Sequence, residues 1–340
     1  MSDSLLRIEN LTLSLDAHHH GARVVDRVSL AVERGGSLGI VGESGSGKSL
    51  TLRAAMGLLP SAVQVDGGTV TLDGERLAFS GRTARRQRRR RLAMVFQDSL
   101  TALDPVYTVG TQIAEVLHNV LGMPRARAKT RAVELLDQVG IRDPDKRAQA
   151  YPHELSGGMR QRAMLAVALA TEPEVLLCDE PTTALDVTVQ AQVLKLLADL
   201  QLEMGLALIF VSHDLAVVRQ LCKDLAVMYA GSVVESGATE SLLANPLHPY
   251  TRGLLEATID LDLPQQRARP VPGSIPEPGQ LPSGCAFHPR CGYATAECAT
   301  TDVELMELQT APDAGGPLAA GLPLAGRASA CLHWQELVPR

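Results

Sequence analysis

Long apolar runs are missing from this 340-residue chain. No stretch reaches the roughly 18 unbroken apolar residues that a membrane-spanning helix needs. Met1–Asn10 lacks a basic stretch leading into an apolar core, so it does not read as a secretory signal. The chain is therefore expected to stay in the cytosol, and to serve any membrane process by docking onto another subunit. A strong charge imbalance is missing too. A net charge of −6 and a pI near 5.9 give no whole-molecule reason to expect DNA or RNA as a partner. Internal repeats and heptad runs are absent.

What is present is enough apolar sequence, 45% of the residues, for one large domain and an appendage. Ser37–Gly42 reads as a buried strand of a parallel sheet, running into a glycine-rich turn and then a helical pattern over Lys48–Leu59. Gly67–Leu77 reads as a small antiparallel layer, and Ala93–Gln97 as a short strand. Thr108–Ala150 is helical in pattern, interrupted at Pro124 and Pro144. Further on, the helix Gly158–Ala170, the strand Val175–Cys178, the amphipathic helix Thr188–Leu202 and the strand Leu206–Val211 alternate. Polar residues gather at the C-terminal ends of these strands, where open α/β sheets bind ligands. After about residue 240 the composition changes, and thirteen of the 20 prolines fall between Asn245 and Arg340. This predicts a cassette over 1–240, with a helical subdomain over about 98–160, and a C-terminal module over 241–340.

Gly42, Glu43, Ser44, Gly45, Ser46, Gly47, Lys48 and Ser49 fit G-x-x-x-x-G-K-[ST] between a strand and a helix. The glycines let backbone N–H groups turn around phosphate oxygens, and the helix start adds its positive dipole end. Lys48 supplies a charge for the terminal phosphates and Ser49 a hydroxyl for Mg²⁺. The strand ending in Asp179-Glu180 delivers two carboxylates to its tip. Asp179 suits the metal and Glu180 the attacking water. Beside that first motif, an ordinary acidic turn explains the pair poorly. His213 follows the strand Leu208–Val211 on the same edge, in reach of a γ-phosphate, although a lone histidine is more often structural. Ser156-Gly157-Gly158 opens a helix. It is either a second anion-binding turn or a plain N-cap.

The order GESGSGKS, VFQD (Val95–Asp98), LSGGMRQR, LLCDEP, TALD (Thr183–Asp186) and VSHD (Val211–Asp214) resembles the ATP-binding subunit of an ABC transporter, over roughly residues 5–240. Within that family LSGGMRQR, Asn245–Thr251 and the cysteine-bearing tail are similar to the oligopeptide, dipeptide and nickel importer ATPases, of D-type. The resemblance implies a P-loop NTPase fold, α/β, with a RecA-like core, an antiparallel β layer and a helical subdomain. It implies ATP and Mg²⁺ as ligands and a head-to-tail pair of cassettes. In that pair, phosphates bound by Lys48 and Ser49 of one cassette are covered by Ser156, Gly157 and Gly158 of the other. Gln97 resembles the glutamine that touches Mg²⁺ and water, and Asp186 falls in the TALD stretch of the site. The implied partners are a second, paralogous F-type ATPase subunit, two integral membrane permeases and, through them, a solute-binding protein, with the chain peripheral on the cytoplasmic face of the bacterial inner membrane. One departure stands out: Leu15 occupies the usual aromatic position of the adenine platform, with His18, His19 and His20 close behind.

Cys285, Cys291, Cys298 and Cys331 have five, six and 32 residues between them. These intervals fit a zinc ribbon poorly, and leave buried free thiols or a [4Fe–4S] cluster open. Pro282–Cys291 resembles the tail of dipeptide-importer ATPases, which implies a [4Fe–4S] cluster on these four. Cys178 and Cys222 read as inert core. Seven arginines in Arg82–Arg91, without interleaved aromatics, read as a solvated helix face rather than a nucleic-acid or lipid patch. Three alternatives stay open: a non-transport relative acting on ribosomes or nucleic acid, a motor for nickel or another small solute, and a module in which nucleotide only regulates assembly. Glu180 argues against the last.

Overall fold

The computed structural model describes residues 4–16, 21–97, 102–183, 185–257, 270–308 and 326–337. Its strands form two sheets. The first is antiparallel, in the order β2-β1-β4-β5, from β1 (Ser4–Leu15), β2 (Arg23–Glu33), β4 (Val63–Leu72) and β5 (Glu75–Arg76). The second holds β3 (Ser37–Val41), β6 (Leu92–Val95), β7 (Val175–Asp179), β8 (Ala207–Ser212), β9 (Asp224–Tyr229) and β10 (Ser232–Ala238). The two-residue strands β11 (Met306–Glu307) and β12 (Ala328–Ser329) complete it, in the order β11-β12-β10-β9-β3-β8-β7-β6. From β9 to β6 every pairing is parallel.

β3, β7 and β8 are buried at every position, as unbroken apolar runs must be when both faces of a parallel sheet are covered. Side-chain alternation then splits each strand between two cores. In β8, Leu208 and Phe210 join the cluster under the helices, while Ala207, Ile209 and Val211 join the one under the antiparallel sheet. The antiparallel layer is larger than Gly67–Leu77 suggested, because β1 and β2 pair over most of their length.

The helical insertion consists of Val109–Leu121, Arg125–Gln138 and Pro144–Ala148, followed by Gly157–Leu169. The Thr108 hydroxyl caps the first helix, and Gly122, at φ 72°, closes it. Pro124 and Pro144 sit at helix starts, where a missing N–H costs nothing. Asp98 lies outside the described residues.

The chain beyond residue 240 returns to the main sheet. β12 pairs with β10, and the buried Glu235 carboxylate accepts from Arg327 at 2.8 Å. Burial pushes the Glu235 carboxyl above the usual range, against the hydrogen bonds from Leu247 N–H and Arg327. The arginine run also differs from a simple solvated face. Arg88 is buried and donates to the carbonyls of Ala55 and Ala78, each at 2.6 Å, and burial pulls its pKa down to about 10. Arg91 binds Glu174. These two tie the run to helix and strand ends, while Arg82, Arg85, Arg86 and Arg89 remain outside.

Candidate functional site

The order β3-β8-β7-β6 places four parallel strand ends side by side. Each carries part of one site. After β3 the chain enters the glycine turn and the helix Lys48–Met56. A side chain at Gly42, whose φ is 153°, would lie 2.1 Å from the Met228 carbonyl. Gly47, at φ 97°, opens the helix, whose first N–H groups have no partner of their own within it. The Lys48 ammonium is buried in the turn and donates to the Gly42 carbonyl at 2.7 Å and the Glu43 carbonyl at 2.9 Å. Burial lowers its pKa, against the pull of Glu180, Asp179 and Glu43.

The Ser49 hydroxyl donates to Asp179 Oδ1 at 2.8 Å. Burial raises the Asp179 pKa against that bond. One residue on, Glu180 takes a left-handed backbone conformation, φ 47°, held by its N–H donating to the Val211 carbonyl at 3.1 Å. A non-glycine residue there costs conformational energy, and such residues gather at functional sites. The twist aims Glu180 Oε2 at three groups: Gln97 Nε2 at 3.2 Å, the Thr183 hydroxyl at 3.0 Å and His213 Nδ1 at 3.4 Å. Gln97 follows β6 and His213 follows β8, so residues 83 and 33 positions away meet one carboxylate. A metal-ready hydroxyl and carboxylate beside a bracketed carboxylate is an arrangement for in-line attack of water on a phosphoryl group.

Two predicted elements lie elsewhere. Ser156 caps Gly157–Leu169, its hydroxyl accepting from Met159 N–H at 3.3 Å. Asp186 caps Val187–Met204, accepting from Val189 N–H at 3.0 Å. The two helix starts touch, because a side chain at Gly158 would lie 2.6 Å from Val189 Cγ1. Among the described residues, no hydrogen bond joins Ser156-Gly157-Gly158 to the Gly42–Ser49 turn of the same chain.

A probable peptide ABC transporter ATP-binding protein, y4tR of Sinorhizobium fredii, is 43% identical over an alignment of 340 positions that covers 99% of this chain and 97% of that protein. The chain belongs to the ABC transporter ATP-binding proteins. The family model "ABC transporter" matches residues 25–183, and "Oligopeptide/dipeptide transporter, C-terminal region" matches residues 234–298. Two Escherichia coli proteins are similar. The probable D,D-dipeptide transport ATP-binding protein DdpD is 44% identical over 88% of this chain and 92% of its own length. The dipeptide transport ATP-binding protein DppD is 43% identical over 87% and 90%. Among solved structures, cbiO1 of Clostridium perfringens, part of the ABC transporter complex cbiONQ, superposes with a TM-score of 0.61 at 26% identity, over 72% of this chain and 92% of that one. The cassette MJ0796, a dimer in a post-hydrolysis state bound to ADP and Pi, gives 0.59 at 27%, over 69% and 98%. The chain is thus an ATPase of the ABC family.

Other parts of the cassette were less legible. Leu15 ends β1 and donates its N–H to the Ala22 carbonyl at 2.9 Å, placing an aliphatic side chain at the expected platform. His18, His19 and His20 lie outside the described residues. Thr183 falls in the TALD motif, and no local sequence signal marks it as a partner of Glu180. Tyr250 and Arg290 both reach Glu43, from 207 and 247 residues away, with no local signal to reveal it.

Cys285, Cys291, Cys298 and Cys331 line one cavity, with Phe287 and His333 among its other walls. Burial raises the thiols of Cys285 and Cys291, and that of Cys331 to about 12. At Cys298 burial also acts upward, but hydrogen bonds from Thr295 and His333 outweigh it and lower the pKa. Among the described residues, no group of three or more histidine, cysteine or acidic side chains is arranged to hold a metal ion. The four cysteines thus share a cavity, but no ligand set for the expected [4Fe–4S] cluster is formed among the described residues. Cys178 and Cys222 are buried, with burial raising the Cys222 thiol to about 12, as inert core thiols should be. No helix among the described residues is long and apolar enough to cross a membrane.

Proposed function

We propose that this ATPase drives uptake of di- or oligopeptides, as one cassette of a facing pair docked on two permease subunits at the cytoplasmic face of the bacterial inner membrane. A solute-binding protein outside would deliver the peptide. The observation that carries the hydrolytic part is the Glu180 carboxylate bracketed by Gln97, Thr183 and His213, beside the Ser49–Asp179 pair.

The Gly42–Gly47 turn wraps the phosphates and Lys48 moves from loop carbonyls to their terminal oxygens. Ser49, Asp179 and Gln97 would hold Mg²⁺, since their oxygen donors suit a hard cation, and the ion would supply charge neutralisation for the phosphates. Glu180 orients and polarises water, and His213 donates to the γ-phosphate. Among the described residues, Ser156, Gly157 and Gly158 make no hydrogen bond to the Gly42–Ser49 turn of their own chain, which supports their covering the phosphates of the facing cassette, with Asp186 beside them. Each charge-assisted bond to phosphate contributes about 1.5–3 kcal/mol, and several exist only in the closed pair, the differential affinity a ligand-driven switch requires.

Docking is supported by Tyr107, 49% exposed, and Tyr151, 40% exposed, each close in sequence to one end of the Val109 N–H to Ala150 carbonyl bond. The peptide cargo rests on likeness to DdpD and DppD, and a paralogous, F-type second cassette on the motif resemblance to the importer ATPases. We read residues 1–240 as the cassette and 241–340 as its C-terminal module. Convergence of Cys285, Cys291, Cys298 and Cys331 on one cavity supports a [4Fe–4S] role for these thiols, since a cluster's ligands stand farther apart than those of a single ion. Iron and acid-labile sulfide in anaerobically purified chain test it, and their absence overturns it.

The decisive experiment uses full-length Glu180→Gln protein with ATP and Mg²⁺, alone and with its paralogue, in light scattering. Nucleotide-dependent doubling of mass that Ser156→Arg abolishes is expected. No association in either mixture overturns the facing pair. Proteoliposomes with the permeases then test cargo: ATP-dependent uptake of labelled dipeptide supports it, and uptake of nickel alone refutes it.

A further inference from the structure

Glu43, inside the phosphate-binding turn, is gripped from three directions. Its carbonyl accepts from Lys48 at 2.9 Å, and its N–H donates to the Tyr250 hydroxyl at 2.9 Å. Its carboxylate takes two parallel bonds from Arg290, Nη1 to Oε2 at 2.7 Å and Nη2 to Oε1 at 2.9 Å. Such a fork is a strong, directional form of ion pair. The Arg290 side chain is only 5% exposed. Its Nε donates to the Pro272 carbonyl at 2.6 Å, and its guanidinium lies 5.7 Å from the Tyr229 ring centre and 5.9 Å from that of Phe287. Tyr229, Tyr250 and Phe287 pack together with centroids 4.7–5.3 Å apart. A chain with only ten aromatic residues places three of them at this joint. Arg290 immediately precedes Cys291, which lines the four-cysteine cavity.

Electrostatics gives the joint a purpose. A carboxylate on a turn that wraps a polyphosphate repels its ligand, and three glycines at positive φ (Gly42, Gly45, Gly47) leave that turn with three positions that carry no side chain to anchor it. We propose that Arg290 is a positioning residue for nucleotide: it cancels the Glu43 charge, fixes the turn around Lys48, and so links the phosphate grip to the C-terminal cysteine module. The inference rests on the reading of Gly42–Ser49 as the phosphate turn.

The test measures Mg·ATP affinity of the full-length chain by calorimetry, with circular dichroism to confirm folding. Arg290→Met should weaken binding roughly tenfold, by leaving Glu43 charged and unpaired. Arg290→Lys keeps the charge without the fork and should weaken it less. The telling variant is the double, Arg290→Met with Glu43→Gln. Removing the orphaned carboxylate should restore most of the affinity. A merely structural Arg290 would show no such rescue, since its bond to Pro272 and its ring contacts stay lost. Unchanged affinity in Arg290→Met, or a double variant as weak as the single, overturns the proposal. If Arg290→Met does not fold, the same comparison with Arg290→Lys decides. A wild-type chain that does not bind Mg·ATP would instead sink the reading of the turn.

Discussion

Ser49 and Asp179 lie 130 residues apart in sequence, yet the serine hydroxyl donates to the aspartate at 2.8 Å. Ser49 lies on the helix that follows β3 and Asp179 ends β7, and β8 separates those two strands. The bond therefore bridges the tips of three strands and sets the distance between the phosphate turn and the carboxylate pair. Asp179→Asn or Ser49→Ala should weaken the Mg²⁺-dependent part of ATP binding by roughly tenfold or more, through loss of one charged contact. Titration with ATP in Mg²⁺ and in EDTA checks this; equal losses in both would show that the pair is only scaffolding.

Glu180 differs from Asp179 in having its carboxylate bracketed by three donors at the strand edge. Glu180→Gln preserves shape and hydrogen bonding but not basicity. Hydrolysis should fall by at least about 100-fold, with ATP affinity retained. Phosphate release measured beside equilibrium binding separates the two, and near-normal turnover would remove Glu180 from its assigned role.

The Glu235–Arg327 pair is fully buried and anchors the C-terminal strands to β10. Removing one partner leaves a buried charge alone. Arg327→Met should cost about 3–5 kcal/mol of stability, whereas Glu235→Leu with Arg327→Met should recover much of it. Urea midpoints of the full chain report the difference, and additive losses would contradict the pairing argument.

His248 is buried against Phe287, and its Nδ1 accepts from the Tyr250 N–H at 3.1 Å. Burial pushes its pKa down to about 3. An unfolded histidine titrates near about 6.5, so between these values the unfolded chain holds a proton the folded chain lacks. The stability is present above about pH 6.5 and is lost as pH falls, by up to about 1.4 kcal/mol per unit. The melting temperature should drop on acidification through that window, and less steeply in His248→Gln. Parallel slopes would assign the acid sensitivity to other groups.

Local physics made much of this protein readable from its sequence. A buried strand, a glycine turn and a helix follow from periodicity and from backbone freedom at Gly42 and Gly47. Thr108, Ser156 and Asp186 cap helices because their side chains satisfy N–H groups three residues on. The ordered motifs carry the family resemblance in the sequence itself. The tertiary structure alone decided which strand tips are neighbours, and hence that Gln97, Thr183 and His213 share one carboxylate. It buried Arg88 in a run that reads as solvated, brought Cys331 to Cys285, Cys291 and Cys298, and set Arg290 on Glu43. Those contacts depend on strand order and on closing loops of tens to hundreds of residues, and no periodicity of neighbouring side chains records which distant segments will meet.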